Sequence, residues 1–278
     1  MTLHRFSRTE LLVGRQGLDT LSRKRVMICG IGGVGSYAAE ALGRAGVGSI
    51  TLVDFDDICL TNVNRQLHAL SSTVGMSKVE VMAGRLRDIN PAAEIIPVKA
   101  FFSAGNAAEL LTPRPDYVLD AIDHFTAKAA LITICRAEAI PVISSMGAAN
   151  KLDPTKIHVA DISATRNCRM ARSMRKMLRK AGIHDGVQVV YSTEEHRELN
   201  PMAVFCGTEC ICPNREEQLF RCENRLVILG SISFIPPIFG LTMAGAVVNA
   251  LLGQDPSDPA GKLFHVALTG LFSRLYYS

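Results

Sequence analysis

Near the start of the chain, the run ICGIGGVGSYAAEAL (Ile28–Leu42) leaves few choices of fold. The stretch RVMICG (25–30) is apolar, ends in glycine and reads as a buried strand. Gly30, Gly32 and Gly35 then fit the spacing G-x-G-x-x-G. Tyr37, Ala38, Ala41, Leu42 and Ala45 follow at helical spacing, and SITLVD (49–54) is a second strand closing on an acid. Strand, glycine turn, helix and strand make a βαβ unit, which requires a parallel sheet and a right-handed crossover. Glycines at those positions allow a tight turn and close approach of backbone amides to phosphate, which a helix N-terminus also favours. Asp54 stands about 20 residues past the loop, where a carboxylate accepts hydrogen bonds from a ribose.

The alternation continues downstream. SKVEVMAGRLRDI (77–89) predicts a helix that stops before Asn90-Pro91, and AEIIPVKAFF predicts a strand. DYVLDAID (116–123) and PVISSMG (141–147) predict two more strands, with the helical TAKAALITICRAEA between them. Strands alternating with helices to about residue 160 predict a doubly wound, Rossmann-like α/β sheet. Residues 160–225 depart from the pattern, being basic first, then loop-like and cysteine-bearing. With no internal repeat or low-complexity linker, 1–278 reads as a single domain. The uncharged stretch Leu226–Gln254 is long enough to raise the question of a membrane span. Pro236-Pro237 interrupts it, and proline suits a first helical turn, so a buried helix over about 236–252 is expected. Gly240, Ala244 and Gly245 would let that helix pack closely. The N-terminus MTLHRFSRTE has no apolar core of the secretory kind, so a cytoplasmic protein with reduced thiols is expected.

Glycine loops serve both redox dinucleotides and nucleotides whose phosphates are broken, so the choice rests on residues beyond the loop. Asp56, Asn62, Asn64, Arg65, Gln66 and Lys78 follow the ribose acid. A redox cofactor keeps its pyrophosphate intact and does not need cations converging on it. Cleavage of an α–β phosphate bond does, because charge accumulates on the departing pyrophosphate.

The blocks GIGGVGS, LVDFD, TNVNRQ, VGMSK and DAID occur in the order found in the ubiquitin-activating-like (ThiF/MoeB type) ATP-dependent adenylating enzymes, which this chain resembles. The resemblance implies ATP held by Gly30, Gly32, Gly33, Gly35, Asp54, Asp56, Asn62, Arg65, Gln66 and Lys78, and Mg²⁺ held by Asp123. Arg65, Lys78 and Asp123 would act on the phosphates, joined by Arg8 of the RFSR element reaching across a homodimer; Arg5 is the other arginine of that element. A carboxylate would attack the α-phosphate of ATP to give an acyl adenylate, a step needing no protein nucleophile.

Two features bear on which carboxylate. Family members that adenylate the C-terminal glycine of a sulfur-carrier or ubiquitin-like protein usually carry two CxxC pairs, and this chain has none. Instead SSMGAANKLDPTKIHVADIS, RFSRTELLVG and TNVNRQLHAL resemble the tRNA threonylcarbamoyladenosine dehydratases, closely over about residues 5–190 and more loosely over 226–252. That resemblance implies ATP-dependent cyclisation of threonylcarbamoyladenosine beside the tRNA anticodon, with a sulfur-transfer protein as a further possible partner; adenylation of a carrier C-terminus stays as the alternative.

A net charge of +4 does not itself point to nucleic acid, but TRNCRMARSMRKMLRKAG holds seven cations and no acid. Met170, Met174, Met177, Leu178 and Ala181 fall on one side of a helix there. Arg169, Arg172, Arg175, Lys176 and Arg179 are expected on the other, as a face for the phosphate backbone of tRNA. Downstream, Cys206, Cys210, Cys212 and Cys222 can close a tetrahedral zinc site. Their spacing departs from paired C-x2-C, so an iron–sulfur centre and free thiols stay open. His68 and His124 lie near the motif blocks, with a structural or a contact role open for each.

Overall fold

The computed structural model describes residues 3–197 and 229–253. The four clustered cysteines and the C-terminal tail lie outside the described residues.

The seven strands are β1 (Arg25–Cys29), β2 (Ser49–Val53), β3 (Glu94–Val98), β4 (Tyr117–Asp120), β5 (Val142–Ser145), β6 (Ile157–Asp161) and β7 (Gln188–Ser192). They join one sheet in the order β3-β2-β1-β4-β5-β7-β6, parallel throughout except for β6, which runs antiparallel to β7. Beyond its first residue β1 is buried, and β4 and β5 are buried throughout, as strands covered on both faces must be. Pro97 cannot donate to a ladder, and it sits in β3 at the sheet edge where no partner asks it to.

Helices α2 (Gly35–Ala45), α3 (Lys78–Ile89) and α7 (Ile235–Leu251) share a core cluster with residues of β1, β2 and β4. The short α4 (Ala107–Leu110) and α5 (Phe125–Ala137) pack on other side chains of those strands. Met174 and Leu178 of α6 (Arg169–Lys180) join Ile132 of α5 in a third cluster. Pro236 and Pro237 occupy the first turn of α7, as predicted, and none of the described helices is long and apolar enough to cross a membrane. Gly240 packs as expected, since a Cβ there would lie 2.2 Å from the Val34 carbonyl. Gly245 does not: it is exposed with no atom in reach, so Gly240 and Ala244 alone make the close approach.

Two parts of the sheet were not anticipated. β6 adds an edge strand at the start of the region read as a departure from the alternation and β7 lies within that region, where VQVVYS carries the β-branched signal that marks it. The helix α1 (Ser7–Leu21), kinked at Gly14, was also unforeseen. Its buried side is thin, only Leu21 being fully covered. Beyond β5, Asn150 adopts φ 59°, a left-handed conformation that Asn tolerates. Its backbone and side chain hold Arg197, His196 and Gly230 together.

Candidate functional site

The strand order reverses between β1 and β4, and their C-terminal ends open the crevice where α/β sheets bind ligands. The glycine loop fills one wall, and each glycine has its own reason. Gly30 has φ 90°, and a Cβ there would sit 2.6 Å from the Ala121 carbonyl in the loop after β4. At Gly35 a Cβ would meet the Gly30 carbonyl at 1.8 Å, so only glycine lets α2 start this close to β1. At Gly33 a Cβ would lie 3.0 Å from Pro236 Cβ, so glycine there lets α7 seat against the loop. Gly32 differs: a Cβ would find only the Gln66 amide nitrogen, at an ordinary 3.8 Å. The fold does not demand glycine at 32, where the space beside the backbone is otherwise open.

Asp54 ends β2 beside this loop. One carboxylate oxygen accepts from the Ile31 amide at 2.6 Å and the other from the Asp56 amide at 2.9 Å. The ribose acid expected from sequence therefore also braces the glycine loop, with lone pairs to spare. Burial pushes the Asp54 carboxyl above its usual range against the pull of Lys78, and Asp56 adds to the rise. Lys78 opens α3 with only 5% of its surface exposed, its Nζ 2.6 Å from Asp56 Oδ2 and 4.0 Å from Asp54 Oδ1. Burial alone would lower its ammonium, but Asp54 and Asp56 outweigh that and Asp123 adds to them, so Lys78 is held above the ordinary lysine range. Lys78 is thus a nearly dry cation held by Asp56 close to the acid that braces the glycine loop.

Other expected residues are placed less directly. Gln66 is buried beside Gly32, and its Oε1 has no partner among the described residues, leaving an acceptor free for a ligand. The Asn62 side-chain oxygen caps its own 3₁₀ turn by accepting from Cys59 N at 3.0 Å. The Arg65 guanidinium is folded onto the Thr61 carbonyl and the Asn64 side chain, both at 2.9 Å, so it must swing to reach phosphate. Asp123 is exposed at the mouth. Among the described residues no cluster of three His, Cys, Asp or Glu side chains forms a protein-only metal cage. Asp123 is a single exposed carboxylate, and Mg²⁺ takes only one or two carboxylates from a protein, completing its shell with water and substrate phosphates. His68, not assigned a role above, is buried with both ring nitrogens unpartnered among the described residues, and burial next to Lys78 drives its pKa down to about 3.

Arg8 is not brought to this crevice. It is exposed on the first turn of α1, next to Phe6, which packs at Gly46 beyond the end of α2, and near Arg5, which donates to the Ile89 carbonyl at the end of α3. Both helices start at the site and run away from it, and the 11 residues of α2 alone span about 16 Å. Arg8 therefore lies at the opposite end of the sheet from the glycine loop.

On α6, Arg169, Arg172, Lys176 and Arg179 are exposed, as expected. Arg175 is a correction: it is half-buried and its Nη1 donates to the Thr165 carbonyl at 3.0 Å and to the Thr165 hydroxyl, pinning the turn before the helix. The apolar side also shifts by a residue, since Ala171 is buried while Ala181, at the helix end, is exposed. Met170 packs beside Gly147, just past β5, so α6 begins at the same end of the sheet as the glycine loop.

Comparison with known proteins follows the same lines. The ThiF family model matches residues 6–275. A tRNA threonylcarbamoyladenosine dehydratase of Bacillus subtilis is 46% identical over 250 residues, covering 90% of this chain and 95% of the relative. One from Escherichia coli is 44% identical, covering 68% of this chain and 74% of its own. Among solved structures, E. coli tRNA N6-threonylcarbamoyladenosine dehydratase (TcdA) in complex with ATP superposes with a TM-score of 0.77 at 35% identity, covering 90% of this chain and 94% of that one.

Proposed function

The chain belongs to the ThiF family, and on that premise we propose that it is an ATP-dependent dehydratase of threonylcarbamoyladenosine in tRNA. The threonyl carboxylate attacks the α-phosphorus of ATP, forming the acyl–phosphate bond and releasing pyrophosphate. The carbamoyl group of the same nucleoside then attacks the acyl carbon, a proton leaves, AMP departs and the ring closes. In balance, ATP and threonylcarbamoyladenosine become AMP, pyrophosphate and the cyclic nucleoside; the oxygen lost from the threonyl carboxylate leaves in AMP, so the nucleoside is lighter by one water.

The residues divide this work by position. The amides of the glycine loop and the N-terminus of α2 cradle phosphate, Asp54 and Gln66 take the nucleoside, and Lys78 offsets charge as pyrophosphate leaves. Asp123 is the group that would hold Mg²⁺, which when bound neutralises phosphate oxygens. Arg8, stranded at the far end of its own sheet, fits a homodimer in which it serves the neighbour's ATP. We place the enzyme in the cytoplasm, and we assign the four clustered cysteines to a structural zinc.

The observation that carries the reading is shared placement. The phosphate loop and the start of an exposed, acid-free cationic row, Arg169, Arg172, Lys176 and Arg179, lie at one end of the sheet. Such a face fits a nucleic-acid backbone rather than the tail of a small carrier protein. The test supplies Mg²⁺–ATP with either tRNA bearing threonylcarbamoyladenosine or a carrier ending in Gly-Gly. AMP formation with loss of one water's mass from the tRNA nucleoside is the expected result; an adenylated carrier and unaltered tRNA would overturn it.

A further inference from the structure

Beneath the loop that follows β4 lies an ion pair the reaction above does not use. Asp120 is the last residue of β4 and Lys128 stands one turn into α5; both are 0% exposed. Lys128 Nζ lies 2.8 Å from Asp120 Oδ2, and the Ser144 hydroxyl on β5 donates to the same oxygen at 2.6 Å. The other oxygen, Oδ1, accepts from the Ile122 amide at 3.1 Å. One carboxylate thus joins a helix, a neighbouring strand and the outgoing loop.

Stability does not account for this arrangement. Taking both charges out of water costs several kcal/mol per ion, and a well-packed apolar pair often holds a core as well. What the pair secures is the path of Ala121–Asp123. The Ala121 amide donates to the Cys29 carbonyl at 2.8 Å, and its carbonyl lies against Gly30, so this loop touches the first glycine of the phosphate cradle. Asp123 follows three residues after Asp120.

We propose that Lys128, acting through Asp120, is a positioning residue that fixes the Asp123 carboxylate against the phosphate loop; this rests on the reading of Asp123 as the Mg²⁺ carboxylate. Groups that orient a metal ligand typically change metal affinity about 10–100-fold when removed. The sequence hints at the pair only in part: an acid closing the apolar run YVLD, and a lysine inside the apolar helix AKAAL.

The test removes both charges at once, Asp120→Asn with Lys128→Met, so that neither is left buried and unpaired. Hydrogen exchange of the amides of 121–124 should rise about tenfold while 142–145 keep their protection. The Mg²⁺ concentration for half-maximal AMP formation should rise at least about tenfold, with ATP binding in EDTA unchanged. Should the double variant fail to fold, Ser144→Ala loosens the same carboxylate without stranding a charge and should shift both readouts in the same direction, by about threefold. Where Asp123→Asn shifts the Mg²⁺ dependence, a folded double variant that keeps wild-type Mg²⁺ dependence overturns the proposal, whatever its exchange. Asp123→Asn is measured alongside: if it too leaves Mg²⁺ dependence unchanged, the metal reading of Asp123 has failed, and the exchange data alone judge whether Lys128 positions the loop.

Discussion

Gly32→Ala separates what the fold needs from what the ligand needs. At Gly35 an added Cβ would sit 1.8 Å from a carbonyl, and at Gly30 it would sit 2.6 Å from one with φ at 90°. At Gly32 its nearest neighbour is the Gln66 amide nitrogen at 3.8 Å, and the backbone there is not in the left-handed region. Alanine at 32 therefore fits the protein, and by restricting the unfolded chain it should stabilise by about 0.4–1 kcal/mol. The methyl would, however, project into the space a phosphate must enter. Losing one charge-assisted amide–phosphate bond costs about 1.5–3 kcal/mol, which is roughly 10–150-fold in affinity. Calorimetric titration with ATP and thermal unfolding, each on Gly32→Ala and Gly35→Ala, read the two effects apart. We expect Gly32→Ala to melt at or slightly above the wild-type temperature with ATP binding weakened at least about tenfold, and Gly35→Ala to lose the fold. Wild-type ATP affinity in Gly32→Ala would mean that phosphates do not lie on this loop. Unfolding of Gly32→Ala would mean that the glycine serves the backbone.

Three further outcomes follow from particular residues. His68 titrates at about 3 when folded against 6.5 when exposed, so the unfolded chain takes up the proton first and stability falls as pH drops through and below 6.5; between pH 7 and 5 this removes about 2 kcal/mol, and His68→Leu should flatten that part of a denaturant-melt pH series. Arg172→Glu should weaken tRNA binding and reduce the salt slope by roughly one unit without affecting ATP; Arg175→Ala should instead lower the melting temperature, because its guanidinium holds Thr165. Arg8→Ala and Asp123→Ala, each inactive alone, should recover about a quarter of wild-type turnover when mixed and allowed to exchange subunits, since half of the dimers are mixed and each has one intact site; no recovery would place Arg8 in its own subunit's site, and an active Arg8→Ala would place it outside the reaction.

Much of the architecture was legible because its signals are local. The strand RVMIC, the glycine spacing and the helix after it state a parallel βαβ unit, and Pro236-Pro237 states where a helix starts. Helix α1 escapes the sequence reading although its apolar period is no weaker than that of α3 or α5, and β7 escapes it although VQVVYS is a β-branched run. The cations of α6 are expected on one outward face, and four of them are exposed, but Arg175 turns inward because its guanidinium is held by Thr165.

What the sequence determines alone is where a phosphate can sit and what kinds of side chain follow: glycines without Cβ atoms, an acid at a strand end and a run of cations act through nearest-neighbour geometry. Only the tertiary structure decides that Lys78 is held by Asp56 and Asp54, that Lys128 and Asp120 meet in full burial under Asp123, and that Arg8 lies at the far end of its own sheet. Those facts rest on packing between elements that are separate along the chain. Charge energies there depend on distance and burial, and no spacing in the sequence sets either.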